Sequence, residues 1–533
     1  MSQPTTYFRR HPAPAPGADL APLSERERAV HVLSRLSFGH RPGEVERLVA
    51  GGVDKWLEDQ LTAQRAGPQH LVDKLEELET LELSPLACED YVYRPTPANA
   101  TGQERRTRDR ARRLPVRELV EAVGLRAIYS DRQADEVLCE FWRNHFNVSF
   151  TKGWPSNIYI PDYEHTVLRG NLHGTFADML SASAAHPAML HYLDNHLSRR
   201  PPSDQELAVI ERNVRKETGS KERGLEAAAI ASQRGLNENY ARELMELHTL
   251  GVDRTYRQKD VISCAAALTG WGINRDRQSF DFKHDRHIEG DKKFLGHPLR
   301  KDRGNGPSQG LRILEILAGH NHTAEFLATK LVRFLVNDSP PRRAVSEVVK
   351  AFKKKGAELP DLVRAVIEHD DFWKRANYRA KFKTPFEFVV SALRATEAQV
   401  DSLDRIDAVL KGMGQPIYRC DDPTGYYDTA ESWLDPGVMS LRWKFALELS
   451  AGELRGVNVG RNFYYGLEDE PNPLRWIDFL VERILPAGAA PRTYLMLFEA
   501  IRDHTGGGRR AELSVLGPQI VGLLLGSPEF QQQ

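Results

Sequence analysis

Along most of the chain apolar residues recur three and four positions apart, the spacing of a helix that buries one stripe. Val30, Leu33 and Leu36 follow Ser24 and a charged first turn, so a capped helix is expected over 25–36. The same periodicity predicts helices over 44–49, 53–61, 71–81, 116–129, 135–146, 176–184 and 260–269, and again over 310–319, 323–335, 343–355, 359–368, 385–399 and 403–413. Alternating patterns are sparse, and one short hairpin pairing 280–283 with 293–295 is the only strand signal. The pattern predicts a mainly α fold, a large multi-helix, bundle-like array with at most a short β-hairpin. It divides into a flexible arm over 1–23, a main helical domain over 24–390 and a C-terminal helical part over 391–533 packed on it.

The stretch 237–251 departs from simple amphipathicity. Asn237, Glu238, Asn239, Arg242, Glu243, Glu246 and His248 alternate with Leu236, Tyr240, Leu244 and Leu247, and Gly251 marks the end. Polar groups this dense beside a burying face need partners, in a structural network or in a site. At about 100° per residue, Asn239, Glu243 and Glu246 fall within roughly 60° of one another and could offer two carboxylates to a metal. His248 lies about 140° from Glu243 on an ideal helix and would not naturally join that line, but it sits just before Leu250-Gly251, where the helix is expected to end and the side chain could be redirected. The structural reading is an i,i+4 charge ladder, Glu238–Arg242–Glu246. Other histidines carry the same ambiguity. His145 sits on an apolar helix with Phe141, Trp142 and Phe146, and His186 before Pro187 suits a helix cap as well as a ligand. Asp194 and Asn195 close a helix, and His284 with Asp285 lies in a polar loop.

At 533 residues, 41% hydrophobic, 28% charged and with a net charge of −1, the composition is that of a soluble globular protein. It argues against a dedicated nucleic-acid or membrane-surface binder, and no window approaches the roughly 18 apolar residues of a membrane helix. Arg9 and Arg10 are followed by a proline-interrupted segment and not by the apolar core of an export signal, so a cytoplasmic location is expected. Cys88, Cys139, Cys264 and Cys420 are far apart, which suits neither a disulfide framework nor a cysteine zinc site. Two segments read as insertions. The run over 95–115 with six arginines is expected as a solvated loop, and 199–233 as an exposed helix or a lid before the polar helix. There is no GxSxG, P-loop, GxGxxG or HExxH string, so serine-hydrolase, nucleotide and zincin chemistries lose support.

Several strings occur together and in order: Leu33-Ser34-Arg35-Leu36-Ser37-Phe38-Gly39 with Trp56-Leu57, Phe141-Trp142-Arg143-Asn144-His145-Phe146, His186-Pro187-Ala188-Met189-Leu190, and Tyr192-Leu193-Asp194-Asn195. The polar helix follows, then Leu268-Thr269-Gly270-Trp271, His284-Asp285, Lys330-Leu331, Lys383-Thr384-Pro385 and Gly425-Tyr426. In these the chain resembles the bacterial "domain of unknown function 1800" family from about Ser24 onward. The resemblance implies no reaction. It does imply that these residues share one cleft, that many relatives are exported, and that a neighbouring sulfatase-like uncharacterised family supplies a candidate partner protein. The chain differs from the family in lacking the export signal, in carrying His320-Asn321-His322 where His-Pro is usual, and in the longer insertion before Asn237.

Two functions follow as expectations. The first is an enzyme with a His/carboxylate site, open to a divalent transition metal held by His145, His186, Glu243 and His248. There Glu246 acts as a base and Arg242 orients a carboxylate or clamps an anion, while Asp194, Asn195, Asn237, Glu238, Asn239, His284, Asp285 and His320 contribute to binding. A metal would require those four ligands within about 2–2.5 Å of one point. The second is a non-catalytic helical scaffold or partner protein in which the polar helix is an internal lock.

Overall fold

In the computed structural model of the chain, residues 21–62, 67–93, 99–232, 235–252, 255–301, 306–354, 356–506 and 510–533 are described. Most of the expected N-terminal arm lies outside them. The described chain is mainly α, with three small two-stranded sheets.

Local chemistry starts the helices. Ser24 accepts from the Glu27 amide while the Glu27 carboxylate returns to the Ser24 amide, closing a capping box on helix Glu25–Arg35. Thr175 with Asp178, Ser203 with Glu206 and Thr384 with Glu387 repeat the device on helices Phe176–Ala185, Asp204–Thr218 and Pro385–Ala395. Apart from the pair formed by the insertion before Asn237, the apolar stripes merge into one connected buried cluster running from Ala29 to Phe530. Residues 391–533 meet the rest through this cluster and through backbone pairing of Lys381 and Lys383 with Gln533 and Gln531. Arg394, 2% exposed, donates to the Gly39 and Ile128 carbonyls and so ties helix Pro385–Ala395 to the N-terminal turn and to helix Gly102–Tyr129.

Two expectations are corrected and a third is refined. The single hairpin becomes two local ones, because each expected strand pairs with its nearest neighbour in sequence. Trp271–Asn274 pairs with Ser279–Phe282 around a turn in which Asn274 Oδ1 accepts from the Asp276 and Arg277 amides. Lys292–Phe294 pairs with His297–Leu299 through Leu295 and Gly296, both at positive φ, the geometry of a tight hairpin turn. A third pair, Gln399–Val400 with Val457–Asn458, joins distant segments and left no sequence signal. The arginine run is not a loop over its described part: Gly102–Tyr129 is one helix, started by a Thr101/Glu104 capping box and continuing through Pro115. Pro115 removes one helical hydrogen bond only, and the helix around it is held by its own neighbours; the Asn157 amide donates to the Arg112 carbonyl and Arg112 stacks on Trp154 at 4.8 Å. The insertion before Asn237 forms an antiparallel pair, Asp204–Thr218 and Lys221–Ser232, turned by Gly219 and packed chiefly on itself. Among the described residues no helix is long and apolar enough to cross a membrane.

Candidate functional site

Asn237 caps helix Glu238–Glu246 by accepting from the Tyr240 amide, and its own amide group donates to the Leu193 carbonyl at 2.8 Å. The helix ends at Glu246, one turn earlier than Gly251 suggests. The amides of His248 and Leu250 reach back five residues, to Glu243 and Met245, and Thr249 Oγ1 donates to the Leu244 carbonyl. This wider last turn takes His248 off the ideal wheel and buries its ring against Phe146, 5.3 Å away, and beside His145. The outer face of the helix is a ladder in which Gln258 stands between two of the expected partners. Gln258 Nε2 donates to Glu238, Arg242 Nη2 donates to Gln258 Oε1 at 3.0 Å, and Arg242 pairs with Glu246 at 3.4 Å while Tyr256 donates to the same carboxylate. Glu246 is taken up by this ladder, while Asn239, with the cap residue Asn237, lines a cleft. Glu243 is half-buried; burial, with Glu246 and Asp422 nearby, pushes its carboxyl above the usual range.

Two of the predicted histidines do meet. His145 Nε2 lies 3.1 Å from the His248 carbonyl oxygen, and the rings are 6.3 Å apart. The other nitrogen of His145, Nδ1, lies 3.1 Å from Lys330 Nζ. A carbonyl only accepts and an amine can donate, so the pair of bonds defines one neutral tautomer: Nε2–H donates to the carbonyl and Nδ1 accepts from Lys330. Burial is the largest reason that His145 stays well below the ordinary histidine range, with the Lys330 charge next. His248 is pushed down to about 3 for the same two reasons. Burial and the neighbouring Arg333 lower Lys330 to about 8, against the opposing pull of Asp428.

Lys330 lines a cavity of about 170 Å³ together with Glu140, Asn144, Arg333, Tyr426 and Asp428. Burial raises the Asp428 carboxyl to about 6 although Lys381 pairs with it at 3.2 Å. Glu140 is raised by burial against the pull of Arg143. The loop that lines one side of this cavity is fastened by Asn144, whose Nδ2 donates to the Tyr426 carbonyl at 2.8 Å while its Oδ1 accepts from the Tyr426 amide at 2.6 Å. Gly425 permits that approach: it sits at φ 79°, and a Cβ there would lie 2.5 Å from Asn144 Oδ1. The arrangement places an amine of lowered pKa and a carboxyl of raised pKa on one small, largely apolar cavity, which suits proton transfer.

The remaining predicted residues are placed elsewhere. His186 caps helix Pro187–Tyr192, with Nδ1 accepting from the Ala188 amide and Nε2 2.9 Å from Asp162. Both its nitrogens and both of His145 are thus engaged, and among the described residues no three His, Cys, Asp or Glu side chains form a group that could hold a metal ion. The set His145, His186, Glu243 and His248 is not such a group. His320 caps helix Asn321–Leu335, which carries Lys330, by accepting from the His322 amide. His369 does the same for helix Asp370–Trp373, so a histidine ring nitrogen is a recurrent helix cap in this protein. Asn195 is fully buried and donates to the Leu268 and Trp271 carbonyls. Asp194 pairs with Lys152 at 2.7 Å and, with Asn237 and Asn239, lines a second, larger cleft. His284 lies 3.7 Å from Glu289 on the surface, and the Asp285 carbonyl accepts from Arg200.

Sequence reasoning missed the cavity itself. Lys330, Asn144, Gly425 and Tyr426 stand in the family strings, but nothing local says that they meet across nearly 300 residues. It also missed a buried ionic cluster. Glu164, 1% exposed on the wide π turn Tyr163–Leu168, accepts from Arg143 at 2.9 Å, Arg169 at 3.0 Å and the Tyr418 hydroxyl. Cys139 touches the same carboxylate, and burial raises its thiol, which removes it as a nucleophile.

The chain matches no curated protein and no solved structure. The model of the DUF1800 family, a protein of unknown function, matches residues 31–532, and the chain belongs to that family.

Proposed function

We propose that the protein is an enzyme that moves a proton on, or attacks, a small polar substrate in the cavity beside Lys330. The observation that carries this reading is Lys330 Nζ lying 3.1 Å from His145 Nδ1 on the wall of the cavity that also holds Asp428. With its proton leaving near pH 8, about a tenth of the molecules at pH 7 present a free amine, a few hundred times the fraction at an ordinary lysine. Lys330 is the base or nucleophile, Asp428 the carboxyl that receives or returns a proton, and His145 a positioning residue whose neutral ring fixes the amine through a single accepted bond. His248 holds that ring by its carbonyl, and Asn144 with Gly425 fixes the loop at Tyr426 that lines the cavity. A metal is not needed for these roles.

The scaffold reading has its own support in the ladder Glu238–Gln258–Arg242–Glu246–Tyr256, which uses most of the polar groups of its helix without a substrate. Brief reductive methylation at pH 7 with formaldehyde and cyanoborohydride, read by peptide mass spectrometry, separates the two. The enzyme reading expects Lys330 to be modified ahead of exposed lysines such as Lys350 and Lys444. Modification of Lys330 only after those surface lysines would defeat it.

A further inference from the structure

The larger cleft, about 1420 Å³, opens between Trp154-Pro155, the end of helix Pro187–Tyr192, the segment after it and the first hairpin. Its wall carries Arg199, Arg275, Lys283 and Arg286. Among the described residues none of these four forms an ion pair, whereas most arginines of the core are paired or bonded to carbonyls. The imidazoles of His191 and His196, 5.3 Å apart, line the same cleft. Of the two carboxylates on the wall, Asp194 is paired with Lys152 at 2.7 Å, while Glu89 accepts from the neutral Gln278 amide at 2.6 Å and keeps its charge. Four cations without a direct ion pair, set against the single uncompensated carboxylate of Glu89, leave an excess of positive charge on one concave surface.

Two further observations point to a missing partner. Arg199 Nε and His191 Nε2 are buried and have no hydrogen-bond partner, although an unmet buried polar group costs about 1–3 kcal/mol. The same lining also carries the apolar or aromatic side chains Trp154, Tyr159, Leu197 and Ile273, and Leu197 is 58% exposed. Asn237 and Asn239 bring the N-terminal end of the polar helix to the rim, where its amide dipoles add to the positive side.

We infer that this cleft binds a small organic phosphate, its oxyanion held by Arg199, Lys283 and Arg286 and its ring or apolar body resting on Trp154 and Tyr159. Arg275 and the two histidines then face the middle of the ligand. The site is separate from the Lys330 cavity, and its occupation does not depend on what Lys330 does.

The test is calorimetric titration of the full-length protein with inorganic phosphate, phenyl phosphate, phenyl sulfate and benzoate. Phenyl phosphate is expected to bind about tenfold more tightly than inorganic phosphate, the gain of a buried ring, and more tightly than benzoate. Arg286→Ala and Lys283→Ala should each weaken phenyl phosphate by about tenfold and flatten its salt dependence. Trp154→Ala should erase the preference for phenyl phosphate over inorganic phosphate while leaving the latter's affinity in place. Arg105→Ala, on the exposed arginine helix, is the control and should change nothing. The inference is overturned if phenyl phosphate shows no binding at millimolar concentration, if Arg105→Ala weakens it as much as Arg286→Ala does, or if phenyl sulfate and benzoate bind as tightly as phenyl phosphate. Circular dichroism of each variant confirms the fold, and retained binding in folded Arg286→Ala and Lys283→Ala proteins also refutes the assignment.

Discussion

Lys330→Met removes the amine and keeps a side chain of similar length, so its effect on stability isolates the penalty of holding that ammonium in the cavity. An unfolded lysine keeps its proton up to about pH 10.4, whereas the folded one releases it near 8. Below pH 8 both states are protonated and the folded protein bears the full penalty. Between pH 8 and 10.5 the unfolded chain binds the extra proton, so raising the pH favours folding, and above that window the penalty is gone. The distance between the two values corresponds to about 3 kcal/mol, reduced to about 2 because Lys330 is partly open to the cavity. Removing the amine also strands His145 Nδ1, at a cost of about 1 kcal/mol, but His145 is neutral throughout this range and that cost does not vary with pH. Urea denaturation of wild type and variant at half-unit steps from pH 7 to 10.5 measures the difference directly. The stability of wild type relative to Lys330→Met should rise by about 2 kcal/mol across the window. A difference constant to within about 0.5 kcal/mol would show that Lys330 is an ordinary lysine, and the catalytic proposal would lose its base.

Three other outcomes follow from the geometry. Gly425→Ala forces a side chain onto Asn144 at positive φ and should lower stability by about 2–4 kcal/mol or release the loop, seen as a lower melting temperature or new protease cleavage near Tyr426. His186→Asn should stay within about 1 kcal/mol of wild type because asparagine caps helices well, while His186→Ala should cost about 1–2; equal losses in thermal melts would show that the Asp162 contact, and not the cap, matters. Glu164→Gln leaves Arg143 and Arg169 without their shared carboxylate and should cost about 3–5 kcal/mol at neutral pH. The two arginines hold the Glu164 carboxyl far below its ordinary value despite its burial. Its stabilisation is therefore complete above the ordinary glutamate range and is lost as pH falls below it, so the wild-type advantage over Glu164→Gln should shrink on acidification from pH 5 downward.

The helices were legible because their information is local. A stripe of apolar residues and a Ser or Thr three positions before an acid are read from a dozen neighbours, and helices such as Glu25–Arg35 and Pro385–Ala395 lie within a few residues of where periodicity places them. The arginine run over 105–113 misled because charge was allowed to outweigh the Thr101/Glu104 capping box that starts a helix there. The ladder on Glu238–Glu246 was legible in outline; Gln258 was not, since it arrives from the next helix.

Sequence alone thus determined the mainly α class, the family and the polar character of the helix at Asn237, because each rests on residue types or on spacing within one element. Tertiary structure decided which polar groups share a cavity. His145 and His248 meet because the helix ends at Glu246 with a widened turn, and Lys330 meets His145 because a helix some 185 residues further on packs against the first. Arg199, Lys283 and Arg286 line one cleft because the tertiary fold sets the first hairpin beside the segment after helix Pro187–Tyr192. Burial, charge proximity and lowered or raised proton affinity are properties of that packing, and no pattern within a single segment encodes them.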